Sequence, residues 1–323
     1  MPRPKKLLTN DNTDLKPVTE FSGRTLELDF PDLHIGVAEY DEGPTGCTVF
    51  HFPGGATTAV DRRGGAVGAI GLEYRLRDAI CFAGGSAFGL EVAAGVRAEL
   101  LASLDYKITW NTLPSVAGAI IWDWSGRKNA VYPDKELGRA ALRAALSGRF
   151  PLGARGAGRS ASVGKWLSRP HTRESAGQGG AFYASGPTRV AVFTVVNAIG
   201  AIGDRNGNVV RGHLNRRSGE RSRVQDIVKL ESGVERQDDP PPGNTTLTFV
   251  ATNHKLARPE LEQLAAQVHG SMARAINPFH TLTDGDILFA STTAEVRNKG
   301  INPSMLSHIA SELAWDAVLN CFD

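Results

Sequence analysis

The residues in this chain best equipped for chemistry are a threonine that opens a strand and two aspartates set two positions apart. Thr245 follows the run Pro240-Pro241-Pro242-Gly243-Asn244. Three prolines carry no backbone donors and favour an extended polyproline conformation, so they cannot pair inside a sheet. Gly243 then permits backbone conformations closed to other residues. From Thr245 the pattern switches to period two. Thr245, Leu247, Phe249 and Ala251 share one face, and Thr246, Thr248, Val250 and Thr252 share the other. A threonine hydroxyl is a poor nucleophile until a base takes its proton. One solution makes the threonine the first residue of a chain, so that its own α-amine is the base. Such an amine titrates near about 7.7–8.0 and is partly neutral at pH 7. Exposing it requires the Asn244–Thr245 bond to be cut, and the stiff run before it could present that bond. A loop running into a buried strand accounts for the same residues with no chemistry at all.

Asp284 and Asp286 lie in "TDGDILFA". In an extended segment their carboxylates face the same side. They suit a turn built on Asp284-Gly285, or a pair that holds a cationic group such as an amine. Too few oxygen ligands lie nearby for a Ca²⁺ site. Other motifs fail on inspection. "GGSAFG" has Phe88 where a nucleophile elbow needs glycine. "GRSASVGKW" has the wrong spacing for a phosphate loop and Trp166 where Ser or Thr is required. "GAGRSA" fits a dinucleotide fingerprint only loosely, and the histidines show no metal-ligand spacing. No metal and no cofactor is expected.

The elements that must position these residues are strands and helices mixed without a regular βαβ rhythm or internal repeat, which predicts an α/β or α+β class with layered sheets. "HIGVAEY", "CTVFHF" and "RVAVFTVVN" read as strands, the last buried on both faces. Residues 84–103 predict a glycine-rich turn and a helix whose buried stripe holds Leu90, Ala93, Ala94, Val96 and Leu100. Further helices are predicted over 133–148, from Pro259, and from Pro303, with Leu306, Ile309, Leu313 and Leu319 buried in the last. Residues 1–20 read as a flexible segment, and 205–243 as an exposed excursion.

The bulk numbers exclude several classes. A net charge of +2 from 36 basic and 34 acidic residues leaves no footprint for nucleic acid or an anionic membrane. The local "RRSGERSR" run reads as a solvated loop. Three widely spaced cysteines imply no disulfide framework. No apolar run approaches the length that spans a bilayer, and the first residues lack a signal-peptide core, so the expected location is cytoplasmic.

Taken together, the stretches "FPDLHIGVAEYDEGPTGCTVFHFPGGATTAVDRRGGAVG", "AICFAGGSAFGLEVAAGV", "GAGRSASVGK", "GNTTLTFVATN", "QVHGSMARAINPFHTLTDGDILFASTT" and "SELAWDAVL" resemble the endo-type 6-aminohexanoate-oligomer (nylon-oligomer) hydrolases. These sit within the wider L-aminopeptidase/D-amidase family of self-cleaving, N-terminal-nucleophile enzymes. The resemblance runs from about residue 25 to 320. It implies autocleavage between Asn244 and Thr245, giving an α chain that ends at 244 and a β chain of 245–323 folded as one catalytic domain. It further implies Thr245 as nucleophile, Lys165, Asn197, Asp284 and Asp286 as catalytic partners, a four-layer αββα sandwich, and a homotetramer of αβ units. The implied substrate is a small-molecule amide oligomer. The alternatives it leaves are an aminopeptidase or amidase on short peptides and amino-acid amides, and acyl transfer like that of ornithine acetyltransferases. One position departs from the pattern: Trp122 stands where those hydrolases carry a tyrosine. Indole offers only an N–H donor, so Trp122 is a candidate pocket residue with altered hydrogen bonding, and simple core packing accounts for it equally.

Overall fold

Alternation along each long strand sets two faces, and each face meets a different layer. The computed structural model describes residues 7–167, 169–226, 243–297 and 301–322. Strands β1 (His34–Tyr40), β2 (Thr45–Arg62), β3 (Leu76–Ala83) and β4 (Val116–Ile120) form one sheet; β3 and β4 are parallel and the other pairs antiparallel. Strands β5 (Gln178–Ser185), β6 (Thr188–Asn197), β7 (Thr245–His254) and β8 (Ile287–Val296) form a second in that order, with β7 and β8 parallel. Strand β2 serves both sheets. Its first half pairs with β1 and β3, and Thr57–Arg62 pair with β8. The change falls at Pro53-Gly54-Gly55, where the β3 register shifts and Gly55 adopts φ of 73°. Proline lacks the donor a ladder needs and glycine tolerates the left-handed region, so the strand bends there.

Helices α1 (Glu91–Ser103) and α2 (Lys135–Arg143) cover the outer face of the first sheet, and α3 (Arg258–Ser271) and α4 (Pro303–Leu319) the outer face of the second. Three apolar layers follow. Cys47, Val49 and Cys81 pack on Val92, Val96 and Leu137. Phe50 and Phe82 meet Phe193, Phe249 and Phe289 between the sheets. Val192, Val250 and Leu288 pack on Leu261, Val268 and Ala314. The architecture is therefore α+β in four layers, helix–sheet–sheet–helix, as the resemblance implied. The middle layer is aromatic, with Phe50 and Phe249 centroids 4.7 Å apart and Phe193 and Phe249 stacked at 5.9 Å.

Local differences have simple causes. The α1 stripe is centred on Val92, Ala93 and Val96, which rotates Ala94 out to solvent and leaves Leu90 and Leu100 half-buried. In α4, the small residues Ala310, Ala314 and Ala317 are buried, while Ile309, Leu313 and Leu319 are only partly so. Small side chains let that helix sit close to β5; a Cβ on Gly179 would lie 1.9 Å from the Ala317 carbonyl oxygen. The segment expected to be flexible contacts the body from Thr9 onward. Asn10 bonds Tyr132 and Asp134, and Pro17–Val18 pair with β1. Of the expected excursion, residues 227–242, including the three prolines, lie outside the described residues. Among the described residues no helix is long and apolar enough to cross a membrane.

Candidate active site

Thr245 is the first residue of β7, and its antiparallel partner is Asn197, the last residue of β6. On the other side, the parallel neighbour β8 is entered through Asp284-Gly285-Asp286, and Asn244 bridges to Asp284. The end of one strand and the starts of two others thus converge on the Asn244–Thr245 bond. All of Asn197, Asn244, Thr245, Asp284 and Asp286 are buried.

The bond itself is closely surrounded. Thr245 Oγ1 donates to the Asn244 carbonyl oxygen at 2.5 Å, and the Gly285 N–H donates to the same oxygen at 2.7 Å. Gly285 has no room for a side chain, because a Cβ would sit 2.5 Å from Thr245 Oγ1. The Asp284-Gly285 dipeptide is therefore more than a turn. Its glycine makes space for a hydroxyl, and its amide polarises the neighbouring carbonyl.

The two aspartates have different surroundings. Asp286 is fully engaged: Oδ1 accepts from the Thr246 N–H at 2.6 Å, and Oδ2 from the His280 N–H at 3.1 Å. His280 Nδ1 lies 3.0 Å from the same Oδ2. Asp284 Oδ2 accepts from the Thr281 N–H at 2.8 Å, while its Oδ1 is buried with no hydrogen-bond partner among the described residues. Burial, then the negative charge of Asp286, push the Asp284 carboxyl up to about 6. The Thr281 hydrogen bonds and Lys165 oppose the rise without cancelling it.

Lys165 follows Gly164, whose φ of 74° brings the "ASVGK" backbone against the turn after β6. Gly164 and Lys165 donate their N–H groups to the carbonyls of Gly200 and Ile199 at 2.7 and 2.8 Å. That docking places Lys165 Nζ 2.8 Å from Asn197 Oδ1 and 2.9 Å from the Asn197 carbonyl. Ser162 N–H also donates to Oδ1, at 3.1 Å. With two donors on Oδ1, the amide orientation of Asn197 is fixed by its network, and Nδ2 must donate. It does so to the carbonyls of Trp122 at 2.9 Å and Gly243 at 3.1 Å. Burial lowers the Lys165 ammonium to about 7, with Arg173 adding to the effect and Asp284 resisting it. The lysine thus carries a full charge only below neutrality.

Trp122 is no core residue; it is 42% exposed. Its ring lies against Gly243, where a Cβ would fall 2.4 Å from Trp122 Cγ. The candidate site residues named in the sequence therefore gather around one bond, Lys165 through Asn197, Asp286 through Thr246 and Trp122 through Gly243. The sequence read Gly285 only as part of a turn, and it did not single out His280 or the Gly64–Gly65 loop. That loop braces the aspartates from behind, with Ala66 N–H donating to the Asp284 carbonyl at 2.8 Å and Gly64 N–H to that of Asp286 at 3.2 Å. The Asp-Gly-Asp spacing was the one visible signal for Gly285; a lone histidine six residues before an aspartate gives none. Among the described residues no three His, Cys, Asp or Glu side chains form a cluster able to hold a metal ion.

Known proteins share this arrangement of chain. The 6-aminohexanoate-oligomer endohydrolases of Agromyces sp. (strain KY5R) and Paenarthrobacter ureafaciens are each 46% identical over 324 residues, covering 96% of this chain and 89% of theirs. The L-aminopeptidase D-Ala-esterase/amidase of Ochrobactrum anthropi, a variant of the N-terminal-nucleophile hydrolase fold, superposes with a TM-score of 0.63 at 15% identity, over 94% of this chain and 88% of that one. That likeness is one of fold. The profile of peptidase family S58 matches residues 28–322, nearly all of the four-layer body and every residue of the site, and the chain is a member of that family of amide-bond hydrolases.

Proposed function

We propose that this protein is a self-processing amide hydrolase that cleaves linear 6-aminohexanoate oligomers through Thr245. The observation that carries the proposal is the pair of donors on the Asn244 carbonyl, Thr245 Oγ1 at 2.5 Å and Gly285 N–H at 2.7 Å. A carbonyl already held by a backbone N–H is prepared for the negative charge that develops when it is attacked. Thr245 Oγ1 adds to the Asn244 carbonyl carbon, and its proton passes to Asp284, the carboxylate with an unengaged oxygen. The C–N bond then breaks, the proton moves to the leaving nitrogen, and an ester links Asn244 to Oγ1. Water hydrolyses that ester, leaving a carboxylate on Asn244 and a free amine on Thr245.

In the mature enzyme the amine takes the Thr245 hydroxyl proton, and Oγ1 attacks a substrate amide carbonyl. The acyl-enzyme forms, the product amine departs, and water releases the acid. Asn197 Nδ2, relieved of Gly243 when the cut segment moves away, donates to the oxyanion. Lys165 grips the other end of that amide. Asp286 holds the Thr246 N–H, which fixes the strand immediately beyond the nucleophile. Trp122 forms the wall on the acyl side.

The substrate assignment rests on the relatives named for 6-aminohexanoate oligomers. Exposed apolar side chains near the end of α1, among them Tyr106, Ile108, Trp110 and Leu113, support assembly into a homotetramer of αβ units. Three free, buried cysteines support a reducing compartment, the cytoplasm. Intact mass under denaturing conditions tests the chemistry. Two chains with the smaller starting at Thr245 are expected, and Thr245→Ala should stay whole. Incubation of the processed protein with linear oligomers beside a β-alanyl anilide tests the substrate. Hydrolysis of the anilide alone would transfer the protein to the short-peptide aminopeptidases.

A further inference from the structure

We propose that a run of aromatic rings, exposed at Trp122 and Phe88 and half-buried at Trp124 between them, is a binding track for the methylene segments on the acyl side of an extended oligoamide. The proposal deepens the function above and rests on its substrate assignment.

The direction of the track comes from the uncut chain, which is its own first substrate. The carbonyl to be attacked belongs to Asn244, so Gly243 lies where the acyl side of any later substrate must lie. Gly243 rests on the Trp122 ring, at a spacing that leaves no space for a Cβ. Asn197 Nδ2 ties the carbonyls of both residues together. Beyond Trp122 the next ring centroid is that of Trp124, at 6.2 Å, and the next is that of Phe88, a further 6.3 Å on. Phe88 is 57% exposed, and its continuity with the neighbouring rings makes an apolar patch of what would otherwise be an ordinary exposed side chain. The chemistry matches one class of chain. A 6-aminohexanoyl unit alternates an amide with five methylenes, and aromatic faces take up methylenes by excluding water while tolerating an amide at the edge. An α-peptide offers no comparable methylene run in its backbone.

The rings are held in place by one buried carboxylate. Asp123, between the two tryptophans in sequence, pairs with Arg127 at 2.7 Å, and both side chains are 1% exposed. The Arg127 guanidinium lies 5.0 Å from the Trp124 centroid. Asp123 Oδ1 also accepts the Gly85 N–H at 2.9 Å, and Oδ2 the Thr45 hydroxyl at 2.6 Å. Gly85 caps the short helical turn Ser86–Leu90 that carries Phe88. The same carboxylate therefore anchors both loops that bear the track. Rings fixed before binding cost less to order when a flexible oligomer arrives.

The test is the dependence of KM on oligomer length. Phe88→Ala is the first variant because its side chain is largely exposed, and Trp124→Leu is the second. Linear 6-aminohexanoate dimer, trimer, tetramer and pentamer are assayed with processed enzyme whose two chains have been verified by mass. In both variants KM should rise with length, by roughly five- to tenfold for the pentamer and much less for the dimer, with kcat nearly kept. Trp110→Ala, 91% exposed on another patch, should alter no ratio. Equal KM changes at every length, no change at all, or a changed oligomeric state with unaltered KM ratios would overturn the track while leaving the hydrolase intact. A processed wild type that ignores every oligomer would instead remove the substrate assignment, and the track with it.

Discussion

A hydrogen in place of a methyl group at Gly285 makes the room that the Thr245 hydroxyl occupies. Because a Cβ there would lie 2.5 Å from Thr245 Oγ1, Gly285→Ala should push the hydroxyl away from the Asn244 carbonyl. Processing should slow by at least about tenfold, visible as uncut chain by intact mass, since a misplacement near 1 Å costs about that much or more. Titration gives a second prediction. Asp284 accepts a proton only when ionised, and its carboxyl lies near about 6. Precursor made by cell-free synthesis and shifted among buffers should therefore cut itself progressively more slowly as pH falls below 6, and Asp284→Asn should be slow at every pH. Lys165 gives a third prediction, on stability. Its folded-state pKa of about 7 lies below the ordinary lysine value, so from pH 7 upward the unfolded chain holds the extra proton and stability rises with pH. In a Thr245→Ala background, Lys165→Met removes that rise. The variant's melting temperature relative to its parent should be highest near pH 6 and fall toward pH 9.

Strand β7 is the element on which the site depends. It is buried along its whole length and lies between β6 and β8, so its first residue is held from both sides. The inward ring of Phe249, in contact range of Phe50, Phe52 and Phe193, anchors it between the sheets. Phe249→Ala should cost about 3–5 kcal/mol of unfolding free energy, measured by denaturant titration of the uncut Thr245→Ala protein. The strand was legible because alternation of apolar and polar residues reports two faces directly. The stripe of α1 was less so, since alanines fit either face of a helix and Ala94 proved exposed. The bend in β2 was marked by Pro53-Gly54-Gly55, but its consequence, one strand shared by two sheets, depends on pairings that no local pattern encodes.

At the scale of the molecule, the proposed cleavage would divide the sequence without dividing the core. Residues 245–323 supply β7, α3, β8 and α4, and β7 pairs with β6, on the other side of the proposed cut, from Asn197–Thr245 through Val190–Thr252. Both the aromatic layer and the layer beneath α3 and α4 mix side chains from either side of the Asn244–Thr245 bond. The processed chains should therefore elute together in native gel filtration and separate only in denaturant. Separation in plain buffer would mean that the shared core does not hold them. Sedimentation of the processed protein tests the proposed tetramer of αβ units.

The sequence by itself determined the strand that begins at Thr245, the helices with strong terminal signals, and, through an ordered set of motifs, the residues that meet at the site. Local periodicity and caps carry that information because they depend on neighbours three or four residues away. Only the tertiary structure decided how the two aspartates differ, and that burial lowers the Lys165 ammonium toward neutrality. It also decided that Gly285 is needed for the room it leaves and the amide it offers. Those properties arise from burial and from partners drawn from distant segments, such as Lys165 with Asn197 or Asp286 with Thr246. Desolvation and charge proximity have no signature in a linear chain, because they are set by what the fold places alongside.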